Sequence, residues 1–502
     1  MRLGVKHTTQ QIKVISDFSG GLNTSISAES IAENQLSSCE NVEIDKTSGR
    51  LKTVGGTEDC FTTEDWEITA AMHDVINGVF LLVDNEKNVR VLDPLTWEAG
   101  DSIGSLTGNL KPKYASWEDG VLIASGGKLQ YYNGTSLVTL ADSPNSTEVY
   151  IRSGRVVVAS GDVIRYSDIG DETGWTEDTG DPSTSKFVEA GYKDGGNFIG
   201  MASLSTDIIF IKDNRRVYRL NGEYPDWVIN EVSRNIECSG RMAFCSVADA
   251  VLLLGGQEVQ AIQTTDNYGD VKPSNIASLI GDEIQKLPEN TMVRYVPPLQ
   301  QVWAINGKEV LMFDMAINAW FKRRFNTPVV DVVSTGDFVF VVKGDRVSVV
   351  VEGTFRDCGM PLFWKFTAQQ MKSHNDFLLK RTQVSIIPFS TEMYTGSIQV
   401  GGVIVPFPVP EHLIKVYHNY SPTYKNHTKV CSEGRRQGLY SSGEKVYMNP
   451  EPTYNNSTPV FSRRVYTKES RNVYRSKFLP VRGYGSLGGF LLNDITLDVA
   501  EV

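Results

Sequence analysis

Three histidines, His412, His418 and His427, are separated by five and eight intervening residues, and Cys431 follows. Imidazole and thiolate together suit zinc, but this spacing matches no standard zinc pattern. The six cysteines, Cys39, Cys60, Cys238, Cys245, Cys358 and Cys431, form no CxxC pair. Six in 502 residues is far below disulfide-scaffold density, so free, mostly buried thiols in a cytosolic assembly are expected. Asp168, Asp171 and Glu172 stand close together, and paired carboxylates are the tools of glycoside hydrolysis. Tyr131, Tyr132 and Trp175 offer ring faces on which a sugar or receptor could stack. Arg435, Arg436, Arg463, Arg464, Arg471 and Arg475 form a basic set suited to docking on an acidic neighbour. DNEKN (84–88) and TTDNYGD (264–270) read as polar turns. GxxxxGK[ST], HExxH, GxSxG and EF-hand spacing are all missing. No catalytic residue, metal or cofactor is therefore assigned, and a non-enzymatic role is expected.

The elements that would carry these residues are repeats. A polar turn, an apolar strand, a Gly/Asp/Asn/Lys turn and a second apolar strand recur seven times. The copies are 77–93, 119–134, 153–168, 205–222, 247–263, 299–314 and 335–351. Their starts lie 34 to 52 residues apart, with a mean of 43. Val, Ile, Leu, Phe and Tyr fill the strands, and Gly-Gly, Gly-Asp and Asn-Gly supply tight turns, so each copy reads as a β-hairpin. One hairpin per 43 residues, with room for two weaker strands, is the spacing of propeller blades. The expectation is an all-β chain with a propeller of about seven hairpin-based blades over 71–353, one unit being split to close the ring. LDPLTW, SDIGDETGW and FDMAINAW end at Trp97, Trp175 and Trp320, which are placed to pack between neighbouring blades.

The flanks differ from the body. Residues 1–70 form a non-repeating lead-in. Within it, 27–42 offers a short helix with Ser27 as N-cap, Glu29 behind it and apolar Ile31, Leu36 and Val42. Residues 354–502 still alternate as strands at 378–389, 396–410 and a final strand pair at 488–502, around the loop-rich 411–462. A C-terminal β-sandwich or jelly-roll-like domain with long loops fits. This end carries 18 basic and 11 acidic residues, net +7, whereas 1–353 carries 31 and 49, net −18. The whole chain, at −11, lacks the electrostatic footprint of a polyanion binder. No stretch approaches 18 uninterrupted apolar residues and the first residues hold no apolar signal core, so neither a membrane helix nor a secretory leader is expected.

Three segments carry a family resemblance. DFSGGLNTSISAESIAENQLSSCENVEIDKTSGRLKTVGGT (17–57) has a Ser-Gly-Gly-Leu-Asn start, the Asn41–Val42 pair and a Gly-Arg-Leu-Lys stretch. WVINEVSRNIECSGRMAFCSVADAVLLLGGQEVQAI (227–262) reads as an inner blade, and RSKFLPVRGYGSLGGFLLNDITLDVAEV (475–502) as closing strands. Together they resemble the β-propeller tail hub, nozzle or tail-stabilisation proteins of short-tailed bacteriophages. The resemblance implies a virion protein assembled in the host cytoplasm as a ring, expected to be a hexamer, beneath the portal and head–tail adaptor. Such a ring extends the DNA ejection channel, passes viral DNA transiently and contacts a tail fibre, spike or plug. The acidic body would suit a non-sticky wall, since phosphate contacts by Lys and Arg retard DNA. The sequence also admits a carbohydrate- or receptor-binding propeller and a propeller glycosidase.

Overall fold

The computed structural model describes residues 9–177, 181, 184–264, 271–388, 395–400, 403–406, 415–417, 427–429, 438–442, 445–449, 461–466, 475–486 and 489–501. The chain divides into two compact units. One comprises Met1–Glu58, Ala319–Asn326 and Val351–Val502, the other Asp59–Asn318 and Thr327–Val350.

Antiparallel sheets follow one another along the chain, almost wholly within the second of these; Ala319–Arg324 and Gly56–Glu58, which complete two of them, are grouped with the first. Five consist of four consecutive strands each, over Ile68–Ser105, Lys113–Thr139, Glu148–Glu189, Phe198–Ser233 and Phe244–Asn275. The sixth sheet runs from Met292 to Arg324, and the seventh combines three strands within Val329–Val351 with Gly56–Thr62 as its fourth. Each sheet is a blade. First strands meet in succession from blade 2 to blade 7, Val329–Thr335 of the seventh meets Ile68–Asp74 of the first, and blades 1 and 2 share a core cluster, so the series closes on itself. The chain is thus an all-β protein with a seven-bladed propeller, the last blade split as expected.

The seven repeated hairpins are the second and third strands of the seven blades. Their apolar character has a geometric cause. Alternate residues of a strand point to opposite faces, and both faces of a middle strand are covered by neighbouring blades. In blade 2, Val121 and Ile123 join Met72 and Leu81 of blade 1, whereas Leu122 and Ala124 join Val149 and Val156 of blade 3. Several fourth strands lack such cover: Glu98–Ser105 and Val271–Asn275 contain no buried residue, whereas Ala319–Arg324 of blade 6 is mostly buried.

Trp97 and Trp175 also fill interblade layers. Trp97 packs on Phe80 of blade 1 and Phe340 of blade 7, with ring centroids 6.3 and 5.4 Å away. Trp175 joins Trp117 and Val156 between blades 2 and 3. Trp320 is buried on Ala319–Arg324.

The other unit is built mainly on two sheets, beside three two-stranded pairs at Arg356–Pro361, Lys415–Lys429 and Gly438–Asn449. The larger runs Val42–Ile44, Leu51–Thr53, Phe490–Glu501, Met371–Pro388, Phe461–Tyr466, with Thr9–Ile15 on Phe490–Glu501 and Arg475–Leu479 on Met371–Pro388. The smaller runs Gly21–Leu22, Gln35–Glu40, Phe363–Ala368, Val481–Ser486, Thr395–Val400, Val403–Pro406. Trp364 of the smaller meets Phe490 of the larger edge-on, centroids 4.6 Å apart, which joins the two faces.

Three expectations change. The lead-in 1–70 is shared out: its strands up to Thr53 enter these two sheets beside those of 354–502, whereas Gly56–Thr62 and the start of Ile68–Asp74 belong to blades 7 and 1. Residues 27–42 form turns and two strands, not a helix; Ser30 N donates to Ser27 O, and Gln35–Glu40 is extended. Ile31, Leu36 and Val42 are all buried, but spacings of five and six residues do not trace a helical face. The closing 488–502 holds one strand, Phe490–Glu501, rather than a pair. Among the described residues, no helix is long and apolar enough to cross a membrane.

Candidate functional site

The first strands of the blades surround the propeller axis, and charge collects at one end of it. Lys113 opens the first strand of blade 2, and Lys111 lies two residues before it. Glu148 opens blade 3, Arg294 and Asp331 lie on the first strands of blades 6 and 7, and Arg241 precedes blade 5. Residues two apart share a strand face, so Lys111 and Lys113 follow one another along the axis.

Ion pairs cross from blade to blade. Asp331 stands 3.1 Å from the Lys111 ammonium and 3.0 Å from Arg294 Nε. Glu148 lies 3.0 Å from Arg241 Nε and 4.0 Å from the Lys113 ammonium. Arg241 also clamps backbone: Nε donates to Thr147 O at 2.9 Å, Nη2 to Ala124 O at 3.3 Å, and Nη1 to Lys111 O. Lys113 has a different setting. Its ammonium lies 4.1 Å from the centroid of the Phe244 ring.

Proton affinities report this crowding. Burial, partly offset by Glu148, pushes Lys113 down to about 8. Burial and the repulsion of Arg294 also lower Lys111 and Arg241. Burial alone would raise Asp331, but Arg294 and Lys111 hold it below the usual range. Burial raises Glu148. The neighbouring thiols are inert for the same reason: burial raises Cys238 to about 11 and Cys245 to about 12.

A cavity of about 460 Å³ opens at this end. Lys111, Arg241, Glu289, Asn290 and Asn306 supply its polar wall, and Leu110, Met242, Met292, Ile305 and Val329 its apolar one.

The residues singled out in the sequence fall elsewhere. Tyr131, Tyr132 and Trp175 are buried, at 8, 2 and 8% exposure, so none is a stacking platform: the hairpin and interblade layers consume their faces. Asp168 is ion-paired with Lys186 at 2.7 Å, and Glu172 accepts Trp117 Nε1 at 3.2 Å. Asp171 accepts the Thr173 hydroxyl and amide, which hold it below the usual range, opposite to what a catalytic acid needs. DNEKN is a turn in which Asp84 accepts the amides of Glu86 and Asn88 at 2.9 and 2.8 Å. In TTDNYGD, residues 265–270 lie outside the described residues, as do His412, His418 and Cys431; His427 begins the strand His427–Lys429. Arg463 and Arg464 lie on Phe461–Tyr466 opposite Val384 and Gln383, and Arg475 opposite Leu378. Arg435, Arg436 and Arg471 lie outside the described residues. Cys39, Cys60, Cys238, Cys245 and Cys358 are free thiols, and no metal-ligand group of three or more occurs among the described residues.

The axial cluster was not legible in the sequence because its members lie up to 220 positions apart, between Lys111 and Asp331. One signal was present: a charged residue opens or interrupts the apolar first strands KYASW, EVYIR, MVRYV and VVDVVST.

The fold and this cluster define the class: a seven-bladed β-propeller with a charged axis and a second, two-sheet unit. No protein-family model matches the sequence, and no curated protein matches it either. Among solved structures, the chain is similar to the WD40 β-propeller domain of Doa1, at 10% identity and TM-score 0.39 over 59% of this chain and 97% of that one. It is likewise similar to the WD40 domain of Neurospora crassa Pan2, at 10% identity and TM-score 0.40 over 60% of this chain and 96% of that one.

Proposed function

We propose that the chain is a structural, non-catalytic tail hub or nozzle protein of a short-tailed bacteriophage, assembled as a homo-oligomeric ring, expected to be hexameric, below the portal and adaptor. The observation that carries this reading is the meeting of its two terminal segments. Residues 17–57 and 475–502 each resemble that family, and their strands interleave in both sheets of one unit. The middle segment, 227–262, supplies the end of blade 4 and most of the hairpin of blade 5.

In this reading the propeller is a rigid wall element and the DNA path belongs to the ring of subunits. A duplex does not pass along one subunit's axis, because the first strands and the Lys111–Asp331 and Arg241–Glu148 pairs, which link next-but-one blades, crowd it. Head-to-tail contacts that close by rotation would build the ring. The +7 end is suited to an acidic partner, either the adaptor or a fibre, spike or plug.

The test is electron microscopy of the chain co-expressed with its portal and adaptor, together with mass spectrometry of purified virions. Rings at the portal and presence in the particle are expected. A chain absent from virions and monomeric beside the portal–adaptor template would overturn the proposal.

A further inference from the structure

The axial end of the propeller carries more positive than negative charge: Lys111, Lys113, Arg241 and Arg294 face Glu148 and Asp331. The two signs also differ in access. The carboxylates are 2% exposed, whereas the four cationic side chains are 15 to 24% exposed. The counter-charges are therefore tucked behind, and the surface met from the axis is cationic. Glu289, at the rim of the cavity, removes one charge from the balance and leaves an excess within.

Hydrogen bonding points the same way. An ammonium has three N–H donors and a guanidinium five. Arg241 spends its donors on the backbone carbonyls of Lys111, Ala124 and Thr147, with Glu148 as its ion-pair neighbour. Lys111 uses two, on Asp331 and on Val330 O at 2.6 Å. Arg294 turns Nε to Asp331, and its Nη1 reaches only Val293 O, at 3.5 Å. Among the described residues, the Lys113 ammonium makes no hydrogen bond; Glu148 at 4.0 Å and the Phe244 ring are its near neighbours. A cation withdrawn from water without a hydrogen-bond acceptor is costly. An oxyanion supplies both the missing acceptors and the missing charge.

We propose that this end of the axis binds a small molecule bearing a doubly charged oxyanion, the class being a phosphomonoester. Lys113, Lys111 and Arg294 receive the oxyanion through donors they do not spend on protein. The organic part occupies the adjoining cavity against Leu110, Met242, Met292, Ile305 and Val329. Its volume of about 460 Å³ is in the range of small-molecule pockets. Three cations from blades 2 and 6 would then be bridged by one ligand, which would stiffen the ring of blades.

The experiment uses the full chain and three probes: phenyl phosphate, inorganic phosphate and phenol. Melting temperature and 31P line broadening are followed up to about 10 mM probe, since a ligand specific for the folded state stabilises it by mass action. Saturable stabilisation by phenyl phosphate, with phenol inert, is expected. Lys113→Met should remain folded and bind phenyl phosphate roughly tenfold more weakly or worse, as loss of a charge-assisted hydrogen bond requires. Lys111→Met provides an independent second variant. The proposal is overturned by no saturable effect of either phosphate, by equal stabilisation with phenol, or by unchanged affinity in both variants.

Discussion

Lys113 enters the axis with Phe244 beneath it and Glu148 4.0 Å away, and burial pushes its proton affinity down to about 8. The unfolded value is about 10.4. Between these limits the unfolded chain holds a proton that the folded chain has released, so this group's contribution to stability rises with pH. Cys238 and Cys245 act oppositely. Their folded values, about 11 and 12, lie above the unfolded thiol, and their contribution falls as pH rises past about 8.5. The lysine is therefore isolated by difference. Lys113→Met should be more stable than the parent at pH 7, by about 2 kcal/mol, and its advantage should vanish towards pH 10. Urea denaturation at pH 7, 8.5 and 10 measures this; a constant difference would refute it. Asp194 is the reverse case. Burial opposes its charge, but Lys212 at 2.7 Å, Gly196 N and the Tyr218 hydroxyl hold it down to about 2. Its contribution is present above the unfolded value, about 3.9, and is lost as pH falls towards 2. Asp194→Asn leaves Lys212 buried without a counter-charge and should cost about 3 kcal/mol at pH 7, with a smaller cost at pH 3.

At the scale of elements, the blade hairpins were legible and their flanking strands were not, for one physical reason. A middle strand is covered on both faces and must be apolar throughout, so Asp207–Lys212 reads DIIFIK with all six residues buried. Most fourth strands are covered poorly, and Val228–Ser233 reads VINEVS with none buried. First strands face the axis and carry the charges described above, which breaks their pattern. The N-terminal strands were hidden differently. Gly21–Leu22 and Val42–Ile44 are two and three residues long, too short for periodicity, and the sheets they join are completed by strands hundreds of positions away. The mistaken helix at 27–42 belongs to the same class of error, since only its cap signal was local. Blade closure supplies a test at this scale. Phe340 of blade 7 packs on Phe80 and Trp97 of blade 1, with centroids 5.2 and 5.4 Å away. Phe340→Ala should cost about 3–5 kcal/mol, as large-to-small changes in a packed core do. Urea denaturation checks it, and a loss below about 1 kcal/mol would show that this layer does not hold the ring of blades closed.

At the scale of the whole molecule, charge is divided along the chain. Residues 1–353 carry −18 and residues 354–502 carry +7. The first 58 residues belong by contact to the unit that contains the basic end, so sequence order and three-dimensional grouping differ. Within that unit, Phe461–Tyr466 is the outer member of the larger sheet's strand order, and it carries Arg463 and Arg464 in succession. Rim charges act chiefly on association rate and its salt dependence, whereas buried anchors act on dissociation. If the basic end docks on an acidic virion partner, the double change Arg463→Glu and Arg464→Glu should slow association with the portal–adaptor complex about tenfold at low salt. The defect should shrink as ionic strength rises and the Debye length contracts towards about 3 Å at 1 M. Biolayer interferometry against immobilised portal–adaptor complex, run across a salt series, measures both. An association rate unaffected by the double change at low salt would remove these arginines from the docking surface. A defect of equal size at all salt concentrations would assign them to the packing of the sheet instead.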